Sequence, residues 1–307
     1  MAGVFILERG IIRQALMATK RQDWLPVLSL LLGATMWGVA WYPMRLLDEA
    51  GVSGLWQALG IDIPPALIMS WALYRHRRAL HRYGWQMLSL AIASWWTNTA
   101  FILAILDGNV MRVLLLFYLS PVWSVILGAW LLKERLRTQS VITLICALVG
   151  GSLMLVKPAA IASSPITAAD WMALSAGVAF SFYNLFTRMA QHAPVSLKGD
   201  VAWFGVVIGS VAAIAITGEP SPAFTTVTVF GVIAVGIFGI LFMTLFVQYG
   251  VTHMPVQRSA VILLFELVAG AISQQLLTDE KLLLQEWAGG VLIVTAALLA
   301  SRAPDKS

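Results

Sequence analysis

Charge is the scarcest thing in this sequence. Asp, Glu, Lys and Arg make up 11% of its 307 residues, where a soluble globular domain carries about 25%. A water-exposed fold is therefore excluded for the bulk of the chain. One cysteine is present, Cys146, so no intramolecular disulfide can form. P-loops, HExxH pairs and CxxC pairs are missing, which removes an ATPase of the chain's own and the common zinc sites. No metal and no cofactor is expected. Long polar stretches are missing too. Only residues 1–24 and "KPAAIASSPITAAD" (157–170) have any length, and no extramembrane domain fits between the apolar segments.

What fills the chain is apolar. Hydrophobic residues account for 59% of it, the mean hydropathy is +0.83, and runs of about 20 residues recur, the length of a bilayer span. The runs predict an all-α polytopic membrane protein with ten transmembrane helices: 25–47, 54–74, 84–106, 110–132, 139–156, 169–190, 197–217, 225–251, 256–277 and 284–301. Lipid-spanning strands would show as alternating segments of about ten residues, a pattern not seen here. Lys and Arg fall unevenly between the two sides. Sixteen of the 20 lie on the side of the N-terminus, and only Arg45, Arg112, Lys157 and Lys281 on the other. This places both termini in the cytoplasm and the chain in the inner membrane. The basic pI of about 9.6 reflects that asymmetry and gives no reason to expect nucleic acid. Residues 1–24 lack the layout of a signal peptide and are expected as a cytoplasmic helical segment lying on the leaflet.

Shifted by 146 residues, the halves begin to agree. Val110, Arg112, Val122, Ile126, Leu131, Glu134, Leu136 and Gln139 meet Val256, Arg258, Val268, Ile272, Leu277, Glu280, Leu282 and Gln285. The Arg–Glu spacing of 22 residues, the same in both halves, is about 33 Å of helix, one bilayer. Each residue should mark a helix end. Five helices per half is an odd number, so the second half enters the membrane upside down. The expected organisation is a repeat at 25–157, a linker at 158–168, an inverted repeat at 169–301 and a cytoplasmic tail at 302–307. Inverted repeats characterise secondary transporters, which hold substrate near the midplane between the halves.

The same stretches carry a family resemblance. "RVLLLFYLSPVWSVILGAWLLKERL" (112–136) and "RSAVILLFELVAGAISQQLLTDEKL" (258–282) resemble the two repeats of the drug/metabolite transporter superfamily, EamA type, including its aromatic amino acid exporters. "GATMWGVAWYPMR" (33–45) and "GVAFSFYNLFTR" (177–188) resemble the opening helices of those repeats. The resemblance implies ten helices and export of small metabolites, often amino acids. It departs from the family at Leu267, which follows Glu266 where a proline is common. Pro121 keeps the proline of the first repeat and is the hinge candidate.

Polar groups in the spans are the candidates for function. Glu266 lies 11 residues past Pro255, about 16 Å into a core of roughly 30 Å. Two readings stand open: contact with a substrate ammonium group or a coupling proton, or a neutral Glu bonded to a neighbouring helix. Asp62, followed by Pro64 and Pro65, is a second coupling candidate beside the reading of a local polar network. Asn98, Tyr183, Asn184 and Gln248 are candidate substrate contacts or interhelical glue. Trp37, Trp41 and Trp96 fall near midspan, where a stacking wall and plain packing are the alternatives. "GVSG" (51–54) resembles the serine motif of intramembrane rhomboid proteases, but all four histidines fall at predicted helix ends, so an enzyme is not expected. The resulting expectation is alternating-access export of aromatic and other neutral amino acids, with protons as a candidate coupling ion. The alternative is a broader-range exporter of cationic drugs or metabolites. The partners would be a small-molecule substrate and membrane lipid.

Overall fold

A computed structural model describes residues 2–107, 110–134, 138–155, 166–278 and 282–301, with side chains from Trp24 onward except at 106–111. The tail, most of the linker and Glu280 lie outside these residues. Every regular element among the described residues is helical. Eight stretches are long and apolar enough to cross a membrane: 24–49, 84–105, 112–131, 138–155, 195–217, 226–253, 256–277 and 284–301.

The chain begins with α1, Ala2–Glu49. The N-terminal segment is thus continuous with the first span, and neither Pro26 nor Pro43 breaks it. The second expected span, 54–74, is divided into α2 (Gly54–Met69) and the short α3 (Trp71–Arg75). At the division the Ser70 hydroxyl donates to Leu67 O at 2.8 Å, competing with the helix ladder as serine does. Then come α4 (Arg77–Arg82) and α5 (Gly84–Asp107). The fourth span is α6 (Val110–Phe117) and α7 (Ser120–Leu131), followed by α8 (Thr138–Leu155).

The second half follows the linker. It comprises α9 (Ala168–Met189), α10 (Val195–Thr217), α11 (Thr226–Ala234), a π segment (Val235–Leu241), α12 (Phe242–His253), α13 (Val256–Leu263), α14 (Phe265–Leu277) and α15 (Leu284–Ser301). In α9, 22 residues long, Asp170, Asn184 and Arg188 dilute the hydropathy. In α2, 16 residues fall short of a full span. That is why these two are not among the eight.

Both interruptions of the long spans have a local cause. Pro121 has no N–H for Phe117 O, and the ladder opens at Tyr118 and Leu119. Between α13 and α14 no proline intervenes. Instead the Leu264 N–H reaches Val261 O at 3.3 Å and the Leu267 N–H reaches Leu264 O at 3.1 Å, the tighter three-residue step. Tyr118 and Leu264 stand 146 residues apart, so the breaks coincide under the sequence repeat.

Helix packing follows small residues. A Cβ on Gly205 would lie 2.4 Å from Ala91 O, and one on Gly209 would lie 1.6 Å from the Trp95 ring. The GxxxG pair of α10 is therefore filled by the backbone and indole of α5, the close approach such motifs permit. Gly209→Ala should cost about 1–3 kcal/mol through overpacking, seen as a lower melting temperature in detergent. An unchanged melting temperature would show that Trp95 shifts without strain.

The main interhelical contacts also have a pattern. α9 packs on α5 as α1 packs on α12, α10 on α5 as α2 on the π segment, and α9 on α6 and α7 as α1 on α13 and α14. The pairs α2–α10 and α8–α15 map onto themselves when the halves are exchanged. Charged residues join helix ends. Arg112 pairs with Asp170 at 3.1 Å, and the Glu134 carboxylate accepts the Val256 N–H at 3.1 Å, where the positive end of α13 favours an anion.

Candidate functional site

The two interrupted spans meet at their breaks. α7 packs on α13, and the hydroxyl of Tyr118, a residue of the first break, donates to the Glu266 carboxylate just past the second. A carboxylate so placed needs a donor, because hydrocarbon supplies none. Beside the pair lies a cavity of about 20 Å³ lined by Phe117, Tyr118, Pro121, Phe180, Leu263 and Glu266, among others. That is room for one water. Pro121, in the first turn of α7, forms part of this wall. Two carbonyls bind α9 here. The Ser181 hydroxyl donates to Ser120 O at 2.7 Å, and Phe117 O faces Gly177 so closely that a Cβ there would lie 2.7 Å away.

Aromatic rings lead from this cavity to a second polar group. Phe117 contacts Tyr118 at 5.5 Å, Phe101 at 4.7 Å and Phe180 at 5.7 Å between centroids. Phe180 stacks nearly parallel on Tyr183 at 6.2 Å. Such spacings are those of attractive ring pairs. The Tyr183 hydroxyl accepts from Gln248 Nε2 at 2.6 Å. Asp62 is buried on α2. Its neighbour Ile61 O, deprived of an N–H by Pro65, faces Gly236 of the π segment, where a Cβ would sit 2.5 Å away.

The three candidate amide side chains carry unfilled hydrogen-bonding capacity. Asn184 is 1% exposed, and neither its Oδ1 nor its Nδ2 has a protein partner among the described residues. The same holds for Gln248 Oε1 and for Asn98 Oδ1 on α5. A buried amide left unpaired costs about 1–3 kcal/mol, which makes these groups candidates to bind a polar ligand.

The tryptophans have partners of their own. Trp41 Nε1 donates to Ser273 Oγ at 2.9 Å, and Ser273 Oγ donates to Gly38 O at 3.1 Å, tying α1 to α14. Trp37, one turn away, is 38% exposed. Trp96 is 40% exposed; its Nε1 donates to Ser175 Oγ at 3.1 Å, and its ring lines an open groove of about 410 Å³ with Trp171, Leu174 and Phe182. Of the candidates, the structure thus brings Glu266 and Pro121 to one cavity and joins Tyr183 to Gln248, while Asp62 is buried on α2. None of Trp37, Trp41 and Trp96 lines that cavity.

Tyr118, Phe117 and Phe180 were not singled out from the sequence. A signal for Tyr118 was present, since a midspan tyrosine three residues before a proline needs a hydroxyl partner.

Comparison with known proteins agrees with this architecture. A solved crystal structure, described only as that of a protein, superposes with a TM-score of 0.71 at 22% identity, covering 91% of this chain and 96% of its own. At that identity the likeness speaks for the fold. An uncharacterized transporter of Archaeoglobus fulgidus is 24% identical over 221 residues, 70% of this chain and 76% of its own. The model of the EamA-like transporter family matches twice, at residues 24–156 and 167–302. Covering each half of the chain in turn, these matches place it in the EamA-like transporter family.

Proposed function

We propose that this protein is a secondary exporter of small amphipathic metabolites, first of all aromatic and other neutral amino acids. Two inverted five-helix repeats alternate access to a site at their interface. Ten spans are counted by including α2 and α9, which pack among the other eight. Both termini face the cytoplasm of an inner-membrane protein. The exchange pattern of helix contacts supports the inverted repeat, and the matched breaks at Tyr118 and Leu264 support a site between the halves.

The observation that carries the reading is the Tyr118–Glu266 hydrogen bond at the meeting of the two interrupted spans. A substrate ammonium group exchanges places with the Tyr118 hydroxyl on Glu266. Its ring lies along Phe117 and Phe180, while Asn184 and Gln248 supply donors and acceptors to its polar end. Asp62 and Glu266 are the proton candidates. The Glu266 carboxylate beside the Phe117 and Phe180 rings also favours a second reading, export of organic cations.

Proteoliposome flux separates these. Labelled tryptophan and phenylalanine should move faster than threonine and faster than in protein-free vesicles, and an imposed pH gradient should accelerate them. Uptake of ethidium with no amino acid flux would establish the second reading. The absence of protein-dependent flux for both classes would overturn the transport site.

A further inference from the structure

The segment that joins α2 to α5 has a property that topology alone does not require. Residues 75–82 read "RHRRALHR", four arginines and two histidines in eight residues, and no acidic residue occurs between Asp62 and Asp107. Arg75, Arg77, Arg78, His81 and Arg82 are all exposed. None forms an ion pair with a carboxylate among the described residues. Asp200 of α10, which packs against α3, is fully buried and pairs with none of them.

The arginines are held in place by rings. Arg75 lies over Trp71 at 5.9 Å, Arg77 over Tyr74 at 5.0 Å and Arg82 over Tyr83 at 5.6 Å from the centroids. The helix interruptions at Ser70, His76 and Tyr83 wind the chain in short turns. Tyr74 is 76% exposed, and Trp71 and Trp85 are exposed beside it. Trp and Tyr settle at the headgroup level of a bilayer. A guanidinium shelved on such a ring stands at the depth of lipid phosphates and presents its free N–H edge to them, with less side-chain freedom to lose than lysine. Positive-inside topology needs only charge, which lysine would supply equally.

We infer that residues 71–83 form a binding surface for the headgroups of anionic phospholipids, with Arg75, Arg77 and Arg82 on their aromatic shelves as the phosphate ligands. Charge complementarity selects this occupant. The surface is cationic throughout, lacks a carboxylate counter-ion among the described residues and is flanked by exposed Trp71, Tyr74 and Trp85, ring types that settle among lipid headgroups. Arginine-rich segments next to a span bind anionic lipid through such contacts.

The test uses the full-length protein, delipidated in detergent and titrated with phosphatidylglycerol or phosphatidylcholine, with bound lipid read by native mass spectrometry. The wild type should retain phosphatidylglycerol in preference. Arg75→Gln/Arg77→Gln/Arg78→Gln/Arg82→Gln should weaken that binding by about tenfold or more, and the corresponding Lys variant should fall between. An equal preference in the wild type and the Gln variant would overturn the surface. A Lys variant equal to the wild type would overturn the role of the shelves. Should the Gln variant fail to fold, hydrogen exchange of the wild type in nanodiscs decides. Residues 71–83 should be protected more in phosphatidylglycerol than in phosphatidylcholine, and equal exchange counts against the proposal.

Discussion

Glu266→Gln should cut transport of amino acids by roughly ten- to a hundred-fold, the equivalent of about 1.5–3 kcal/mol for a hydrogen bond to a charged group. Its melting temperature should stay close to that of the wild type. Glutamine retains the size of the side chain and an oxygen to accept from Tyr118, so the tie between the interrupted spans survives. What it loses is the charge that an ammonium group would meet. Glu266→Leu should differ in kind. It leaves the Tyr118 hydroxyl without its acceptor in an apolar wall and should lower stability as well as flux. Full transport by the Gln variant would make Glu266 a structural acceptor and move the search for the ammonium site to Asp62.

Gly38→Ala should be the most damaging single-methyl change near this site. A Cβ there would lie 2.5 Å from Glu266 O, 2.7 Å from Gly270 N and 2.7 Å from the Ala269 methyl. Two of those three neighbours are backbone, which cannot rotate away. The helices α1 and α14 would have to part, breaking the Trp41–Ser273–Gly38 chain of hydrogen bonds and displacing Glu266. The cost should be about 1–3 kcal/mol or more, accompanied by loss of flux. Gly84→Ala, with no atom within 4 Å of its added Cβ, is the control and should stay within about 0.5 kcal/mol. Equal melting temperatures for the two variants would contradict the packing.

Much of this was legible in the residues. Apolar runs mark spans because a helix must satisfy its own backbone in lipid, so the helical class and most span positions could be read directly. The central placement of Glu266 followed from counting residues along one span. Its partner did not. Tyr118 lies 148 residues earlier, and only the packing of two interrupted helices brings it near. The tryptophans illustrate the converse. Trp37 and Trp41 are four residues apart and share a stripe, but a stripe does not say whether it faces a cavity, a neighbouring helix or the outside. The break at Leu264 was also hidden, since no proline or glycine there announces it. The approach of Ile61 O to Gly236 in the π segment was hidden likewise, since it joins residues far apart in the chain.

The facing of Phe117 O with Gly177, and of Ile61 O with Gly236, bears on how this sequence can drift over generations. On one helix a proline withholds the donor that would have drawn the carbonyl inward; on the other a glycine leaves room for the carbonyl to approach. An alanine at position 121 would let Phe117 O return to its own ladder and relax the demand for glycine at 177. An alanine at 177 with Pro121 in place would meet the carbonyl head on. Each proline and its glycine, though far apart in the chain, are thus one heritable unit in which the order of substitution decides which intermediates survive.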